Sequence, residues 1–93
     1  MNVHDGKAFT GLSGNSDAFA LRGGRHQFVV AANFDGGGGV GVETLAADGA
    51  TWVACADPLE VNGVQILDLA PGQYRVAVNT ATAVNASLVS VPA

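Results

Sequence analysis

Residues 40–55 read VGVETLAADGATWVAC and contain the clearest hairpin pattern in this chain of 93 residues. Side chains suited to a strand alternate over residues 40–45, and a second β-forming run around Trp52 follows the Asp48-Gly49 dipeptide. Aspartate followed by glycine adopts the positive φ angles that reverse a strand within about two residues. The segment therefore predicts two antiparallel strands joined by a tight turn.

Two other dipeptides, Asn62-Gly63 and Pro71-Gly72, also separate apolar runs. We expect residues 59–61 and 64–69 to form a second hairpin around Asn62-Gly63. We expect Pro71-Gly72 to make a tight connection into a strand at residues 74–80, because proline and glycine favour the backbone angles of turns.

The longest predicted strand covers residues 25–34. Its even-numbered residues from Phe28 to Phe34 form one apolar face. The opposite face, from Gln27 to Asn33, is less apolar but has no charge. From Gln27 onward neither face of this strand carries a charge, which is typical of the interior of a sheet, so we place this strand in a central position.

Further strands are predicted at residues 18–21 and 85–91, and no segment has a helical period over ten or more residues. The expected fold is all-β: an antiparallel two-sheet sandwich or jelly-roll-like barrel of about seven or eight strands, with an irregular N-terminal arm. A chain of this length makes one domain, placed at residues 17–93, and buries roughly 60% of its unfolded surface. That is enough for one thin core.

The arm, residues 1–16, has neither a strand period nor a helical period. It is expected to be a flexible tail or a segment that docks outside its own domain. Phe9 and Leu12 are its isolated apolar residues, and we predict that they contact a partner because the sequence gives them no local role. The glycine loop is predicted to contact a partner for the same reason: Gly36, Gly37, Gly38 and Gly39.

Charge is scarce in this chain. Charged residues make up 13% of the sequence, whereas an ordinary soluble domain has about 25%. Hydrophobic residues make up 48%. We interpret this balance as a domain whose apolar faces are partly covered by other subunits; the alternative is a monomer rich in Val and Ala with a plain surface.

The net charge of −4 argues against two classes of partner. Four basic residues are too few to neutralise a run of phosphates, so we expect no nucleic acid and no anionic membrane as partner. The longest uncharged apolar run, residues 28–32, is too short to span a bilayer. The start has no secretory-signal pattern, and the single cysteine, Cys55, cannot form a disulfide within one chain. Synthesis in a reducing cytoplasm is therefore expected.

No residue cluster predicts an enzyme, a cofactor site or a metal site. Residues 36–41, GGGGVG, match the dinucleotide-binding pattern G-x-G-x-x-G, but that site needs a helix where residues 40–45 predict a strand. His4 and His26 lack partners at the spacing of a zinc site, and both are expected at the surface. Cys55 is expected as a small buried residue on a strand.

Residues 69–76, LAPGQYRV, resemble the L-x-P-G-x-Y corner of fibronectin type III and other β-sandwich modules. The resemblance covers eight residues and concerns the fold rather than the function. It implies that the hydroxyl of Tyr74 donates a hydrogen bond back to the backbone before the turn, which fixes how the chain crosses between two sheets.

A wider set of segments, FALRGGR at 19–25, DGATWV at 48–53 and PGQYR at 71–75, resembles small proteins encoded among the virion genes of tailed bacteriophages and prophages. This resemblance implies a non-enzymatic virion structural protein that decorates or cements the capsid. The implied partners are the major capsid protein and further copies of the chain, as a trimer. The implied location is the capsid surface of the virion, after synthesis in the host cytoplasm. No catalytic residue is transferred.

The alternative function is a carbohydrate-binding or adhesion β-sandwich module of a fibre or a cell surface. In that case Trp52 and Tyr74 would contact the sugar, since aromatic rings stack on sugar rings. The competing expectation for Trp52 is that it anchors the core between the two sheets.

Overall fold

The computed structural model describes residues 6–34 and 37–91. These residues form eight strands in two four-stranded antiparallel sheets that pack together, so the predicted two-sheet sandwich is confirmed. Helices are absent from these residues, and none of them could therefore cross a membrane as a helix. The strands in chain order are β1 (Gly6–Leu12), β2 (Phe19–Leu21), β3 (Gly24–Asn33), β4 (Gly39–Leu45), β5 (Trp52–Ala54), β6 (Gly63–Leu69), β7 (Gly72–Asn79) and β8 (Thr82–Ser90).

The two sheets take alternate segments of the chain. Sheet A has the order β1-β8-β3-β6, and sheet B has the order β2-β7-β4-β5. Among the described strands, only β4 and β5 are neighbours both in sequence and in a sheet. The hairpin predicted at residues 40–55 is therefore confirmed, although its loop is wider than two residues and lies between Ala46 and Thr51, which share a backbone hydrogen bond of 2.8 Å. Every other connection passes from one sheet to the other.

Strand β3 lies in the middle of sheet A, between β8 and β6, as predicted. Phe28 and Val30 point from it into the core, and His26 follows the same alternation and is fully buried. The expectation that His26 lies at the surface is therefore wrong. Its Nδ1 lies 3.0 Å from the carbonyl oxygen of Gly24. The core residues are Phe19, Leu21, Phe28, Val30, Val40, Val42, Leu67, Leu69, Tyr74, Val76, Ala81, Val84, Ala86 and Leu88.

The second predicted hairpin is wrong. Leu59 pairs with Val40 of sheet B through two backbone hydrogen bonds of 2.9 and 2.8 Å. Strand β6, which begins at Gly63, instead pairs with β3 of sheet A. The side-chain oxygen of Asn62 accepts a hydrogen bond of 2.8 Å from the backbone nitrogen of Ala32. The Asn62-Gly63 dipeptide therefore leads the chain from sheet B to sheet A and does not reverse a strand.

The Pro71-Gly72 connection is also a crossing between sheets, from β6 to β7. The hydroxyl of Tyr74 donates a hydrogen bond to the carbonyl oxygen of Ala70, as the resemblance to the tyrosine corner implies. Gly23, at the neighbouring crossing from β2 to β3, has a φ of 97° and packs against this corner. A Cβ atom on Gly23 would lie 2.8 Å from Pro71, so only glycine fits between the two crossings.

The arm was predicted to be irregular, and this is wrong for its residues Gly6–Leu12, which form β1. They pair with β8 and make β1 an edge strand of sheet A. The ring of Phe9 lies 5.7 Å from that of Phe19, which ties the strand to the core. The register shifts between Phe9 and Leu12, where Gly11 has a φ of 67°. This bulge interrupts the alternation, which is why the sequence did not indicate a strand.

Candidate interaction surfaces

The outer face of sheet A consists of side chains that alternate with the core residues of β3, β6 and β8. Val29 lies directly opposite Val64 of β6. In the next outward row, Gln27 lies between Ile66 of β6 and Val89 of β8. We call this surface the uncharged face and define it by Gln27, Val29, Ala31, Val64, Ile66, Ser87 and Val89.

Among the residues that the structure describes, charge at the edge of the uncharged face is confined to one ion pair. The Nε atom of Arg25 lies 3.3 Å from Oδ1 of Asp68, and both side chains are mostly exposed. The two opposite charges add no net charge to this side of the molecule. Val64 and Ile66 are 55% and 56% exposed, respectively. Exposed aliphatic side chains in adjacent rows are typical of interaction surfaces, whereas single ones are common on any protein.

The outer face of sheet B is covered in part by its own chain. Between Cys55 and Leu59 the backbone leaves the edge of the sheet, and Pro58 packs over β4. A Cβ atom on Gly39 would lie 3.1 Å from Cβ of Pro58, and one on Gly41 would lie 3.3 Å from its Cα. Both glycines therefore allow this segment to approach the sheet closely.

Charged groups also lie on sheet B. The carboxylate of Glu43 lies 2.7 Å from Nη2 of Arg75, and the guanidinium of Arg75 lies 4.6 Å from the centre of the Trp52 ring. Trp52 is half-buried on the edge strand β5 and does not belong to the core, so the expectation that it anchors the core is wrong. Trp52 lies opposite Leu45. Leu45 is two positions after Glu43 on β4, so all three side chains lie on the outward side of the sheet.

A cleft of about 480 Å³ lies between this covering segment and the start of β4. Its floor is formed by small residues such as Gly41, Ala54 and Ala77, and its carboxylates are Glu43 and Glu60. The volume is in the range of small-molecule sites. Glu43 is already engaged in its ion pair with Arg75, and no group of three or more potential metal ligands occurs among residues 6–34 and 37–91.

The residues predicted to contact a partner have roles inside their own domain. Phe9 and Leu12 are half-buried and pack against the core. Gly38 has a φ of 87°, and a Cβ atom there would overlap the carbonyl oxygen of Asn79. Gly39 is buried beneath Pro58. The reason for assigning these residues to a partner is therefore removed, and their contact with a partner stays a prediction.

Gly36 and Gly37 are the remaining residues that were predicted to contact a partner. Gly37 is exposed at a φ of 83°. Gly36 lies outside the described residues, as does His4. The structure thus brings Gly37, Gly38 and Gly39 together at the rim of the cleft and leaves Phe9 and Leu12 on sheet A, so the predicted contacts do not form one surface.

Cys55 lies just after β5 and is half-buried rather than fully buried. Burial raises the pKa of its thiol above the ordinary value of 9.0, and the negative charge of Glu43 raises it further. A thiol is nucleophilic only as the thiolate, so this cysteine is held in its unreactive form at neutral pH.

Sequence reasoning did not identify the exposed side chains of β6. The alternation of Val64 and Ile66 with Gln65 and Leu67 was a usable signal, since it matches the alternation on β3. It was hidden because residues 64–69 were assigned to a hairpin and not to a partner of β3.

Comparisons with known proteins give no further identification. No protein-family model, no curated protein and no solved structure matches this chain.

Proposed function

We propose that this chain is a non-enzymatic structural protein of a phage virion, which decorates or cements the capsid by binding the major capsid protein. Two lines of argument support the proposal. Residues 19–25, 48–53 and 71–75 resemble small virion proteins of tailed phages. The uncharged face offers an apolar docking surface on an otherwise acidic molecule.

The observation that carries the proposal is the uncharged face. Val64 and Ile66 are slightly more than half exposed, and fully burying such a side chain stabilises a complex by about 1.5–3 kcal/mol. Covering the two therefore contributes about 1 kcal/mol each. The chain has a net charge of −4, yet the residues that define this face are all uncharged.

Stable docking on the capsid requires an interface of a certain area. A standard interface uses about 800 Å² on each partner, which is about 15% of the 5321 Å² accessible surface of this chain. The exposed aliphatic side chains alone supply only part of that area, so docking includes the polar rim around them. A capsid site that fits is apolar at its centre and has no net charge there.

The test uses purified particles of the phage whose genome encodes the chain. Quantitative mass spectrometry should find the protein in a fixed ratio to the major capsid protein. Recombinant protein should also bind shells that lack it. Val89→Lys, on the uncharged face, should weaken this binding at least tenfold, whereas Val53→Lys, at a similarly exposed valine on sheet B, should leave it unchanged. Absence from particles, or equal binding by both variants, would contradict the proposal.

No observation favours the alternative of a carbohydrate-binding or adhesion module. Tyr74 is buried and its hydroxyl is bonded to Ala70. Arg75 lies over the ring of Trp52. A glycan array on the isolated protein tests this alternative directly, and specific binding that is lost in Trp52→Ala would support it.

A further inference from the structure

The edge strands of the two sheets differ in how they are protected. Strands β2 and β5 have three residues each, too few to pair stably with another chain. Strand β1 carries Lys7 and a bulge between Phe9 and Leu12. Short length, lysine and bulges are the devices by which proteins prevent edge strands from pairing with other chains.

Strand β6 is the fourth edge of the described sheets and has none of these devices. Its seven residues contain no lysine and no proline, and it pairs with β3 in one unbroken register over Gly63–Leu69. The sequence from Val61 to Leu67 has no charge. Val61 is 69% exposed, and Val64 and Ile66 are also exposed. A long, regular, apolar edge of this kind pairs readily with another strand.

We infer that β6 is the self-association strand of this protein: two copies pair β6 with β6 in antiparallel orientation about a two-fold axis. The two A sheets then form one continuous sheet of eight strands. The pairing of β6 strands would be the contact between copies of this chain in the proposed structural role. Only the use of this contact in a virion rests on the proposed function.

The faces of the sheet restrict the register of this pairing. Directly opposed residues in an antiparallel pair lie on the same face. A register that opposes Val64 to Gln65 of the second copy would therefore mix outward and inward side chains and break the sheet. The registers that remain are those in which one residue of β6 lies directly opposite the same residue of the second copy.

Strand length and charge select among these registers. Centring the pair on Val64 opposes only Gly63–Gln65 of the two copies, because the residues before Gly63 lie outside β6. Centring it on Ile66 opposes the apolar Val64 to the charged Asp68 of the second copy. Centring it on Gln65 avoids both: five residues of each strand, 63–67, then pair with each other, and Asp68 stays beside its own Arg25.

The register centred on Gln65 also places exposed aliphatic side chains of the two copies opposite each other. Val64 then faces Ile66 of the second copy, and the two-fold axis makes this contact twice. Cross-strand pairs of aliphatic side chains stabilise sheets. The uncharged faces of both copies join into one apolar band without any like-charge contact. These features favour a second copy over a foreign strand, and two-fold pairing gives a dimer where the resemblance to virion proteins implies a trimer.

The first experiment is sedimentation equilibrium of the full chain from micromolar to millimolar concentration. The contact is smaller than a standard interface, so the dimer should be reversible and depend on concentration. Ile66→Lys should weaken dimerisation at least tenfold, because edge lysines oppose strand pairing. Val53→Lys on β5 and Val89→Lys on the uncharged face should stay within twofold of the wild type.

Two results would overturn the inference: a monomer at every concentration, or a dimer that Val89→Lys disrupts as strongly as Ile66→Lys, which indicates stacking of faces. Circular dichroism checks that Ile66→Lys is folded, which we expect because the side chain of Ile66 points outward and is 56% exposed. The result is independent of particle composition. A monomeric protein that is present in particles contradicts only this inference, and a dimer that is absent from particles contradicts only the proposed function.

A second experiment tests the register. Opposed Cα atoms in antiparallel strands lie about 4.5–5.5 Å apart, within the range of a disulfide. Gln65→Cys with Cys55→Ser should therefore form a covalent dimer under mild oxidation. Gln27→Cys with Cys55→Ser, exposed on the central strand β3, is the control. Equal cross-linking of the two variants would overturn the proposed register.

Discussion

The hydroxyl of Tyr74 and the carbonyl oxygen of Ala70 are joined by a hydrogen bond across the corner where the chain leaves sheet A for sheet B. Tyr74 itself is buried, so its ring belongs to the core while its hydroxyl holds the connection. The same corner touches Gly23, at the crossing from β2 to β3. Two of the passages between the sheets therefore meet at one point.

Removing the corner bond should destabilise the fold. Tyr74→Phe keeps the buried ring and loses the hydroxyl, so we expect a loss of about 1 kcal/mol in the free energy of unfolding. Burial raises the pKa of this phenol above 10.0. The neutral phenol is thus favoured in the folded state, and its contribution is present below pH 10 and declines as the pH rises through the raised pKa. Urea titrations of both proteins at pH 7 and in alkali measure this; equal stability at pH 7 would contradict it.

The carboxylate of Asp48 should make stability depend on acid. It accepts hydrogen bonds from the backbone nitrogens of Ala50 and Thr51, both 2.9 Å, and from the Thr51 hydroxyl at 2.6 Å. The bonds from Thr51 are the main cause that lowers its pKa from 3.8 to about 2. The stabilisation is therefore complete above pH 3.8 and is lost as the pH falls through about 2.

Asp48→Ala should accordingly lower the Tm at pH 7, and the difference from the wild type should shrink below pH 3.8. Asp48→Asn is the matched control, because it keeps an acceptor oxygen without the charge and should fall between the two. Thermal melts followed by circular dichroism from pH 7 to pH 2 give the comparison. A Tm difference that stays constant over this range would refute the role of the carboxylate.

Cys55 should react slowly with alkylating agents. Its raised pKa reduces the thiolate fraction at pH 7.5, and its partial burial restricts access. We expect iodoacetamide to modify it several-fold more slowly than glutathione. Glu43→Gln, which removes the nearby negative charge, should shift the pH profile of the reaction to lower pH. An unchanged profile would show that burial alone sets the pKa.

Gly37 and Gly38 form a matched pair for testing the close approach of two strands. Both have a positive φ, so an alanine at either position costs about 1–2 kcal/mol of backbone strain. No atom lies within 4 Å of a Cβ on Gly37, whereas a Cβ on Gly38 would overlap the carbonyl oxygen of Asn79. Gly38→Ala should therefore be more destabilising than Gly37→Ala by about 1–3 kcal/mol. Denaturant titrations of both variants would reveal equal losses if this packing argument is wrong.

The sequence predicted the elements that depend on neighbouring residues. The alternation of β3 indicated its central position, and the segment at residues 40–55 indicated a hairpin because its two strands are adjacent in the chain. The Asn62-Gly63 dipeptide predicted a hairpin that does not form. Leu59, before this dipeptide, pairs instead with Val40, which lies 19 positions earlier in the chain. Glycine turns favour a change of direction in both cases and do not specify which sheet the next strand joins.

The interaction surface could be predicted only in part. The uncharged outer side of β3 from Gln27 to Asn33 was visible in the sequence, and most of it became part of the uncharged face. The remainder comes from β6 and β8, whose places beside β3 depend on the order of all strands in sheet A. His26 shows the opposite case. It lies two positions before Phe28, so the alternation was sufficient to place it in the core, but it was assigned to the surface because it had no partners at the spacing of a metal site.

The alternation of the chain between the two sheets has a consequence for the rate at which the native state forms. Only the hairpin of β4 and β5 can assemble from residues close in sequence; each remaining ladder must first close a loop that contains at least one whole strand of the opposite sheet. Topologies dominated by such distant pairings fold in milliseconds to seconds. During that interval the apolar strand β6 is exposed to neighbouring chains, so the rate of synthesis should influence how much protein aggregates.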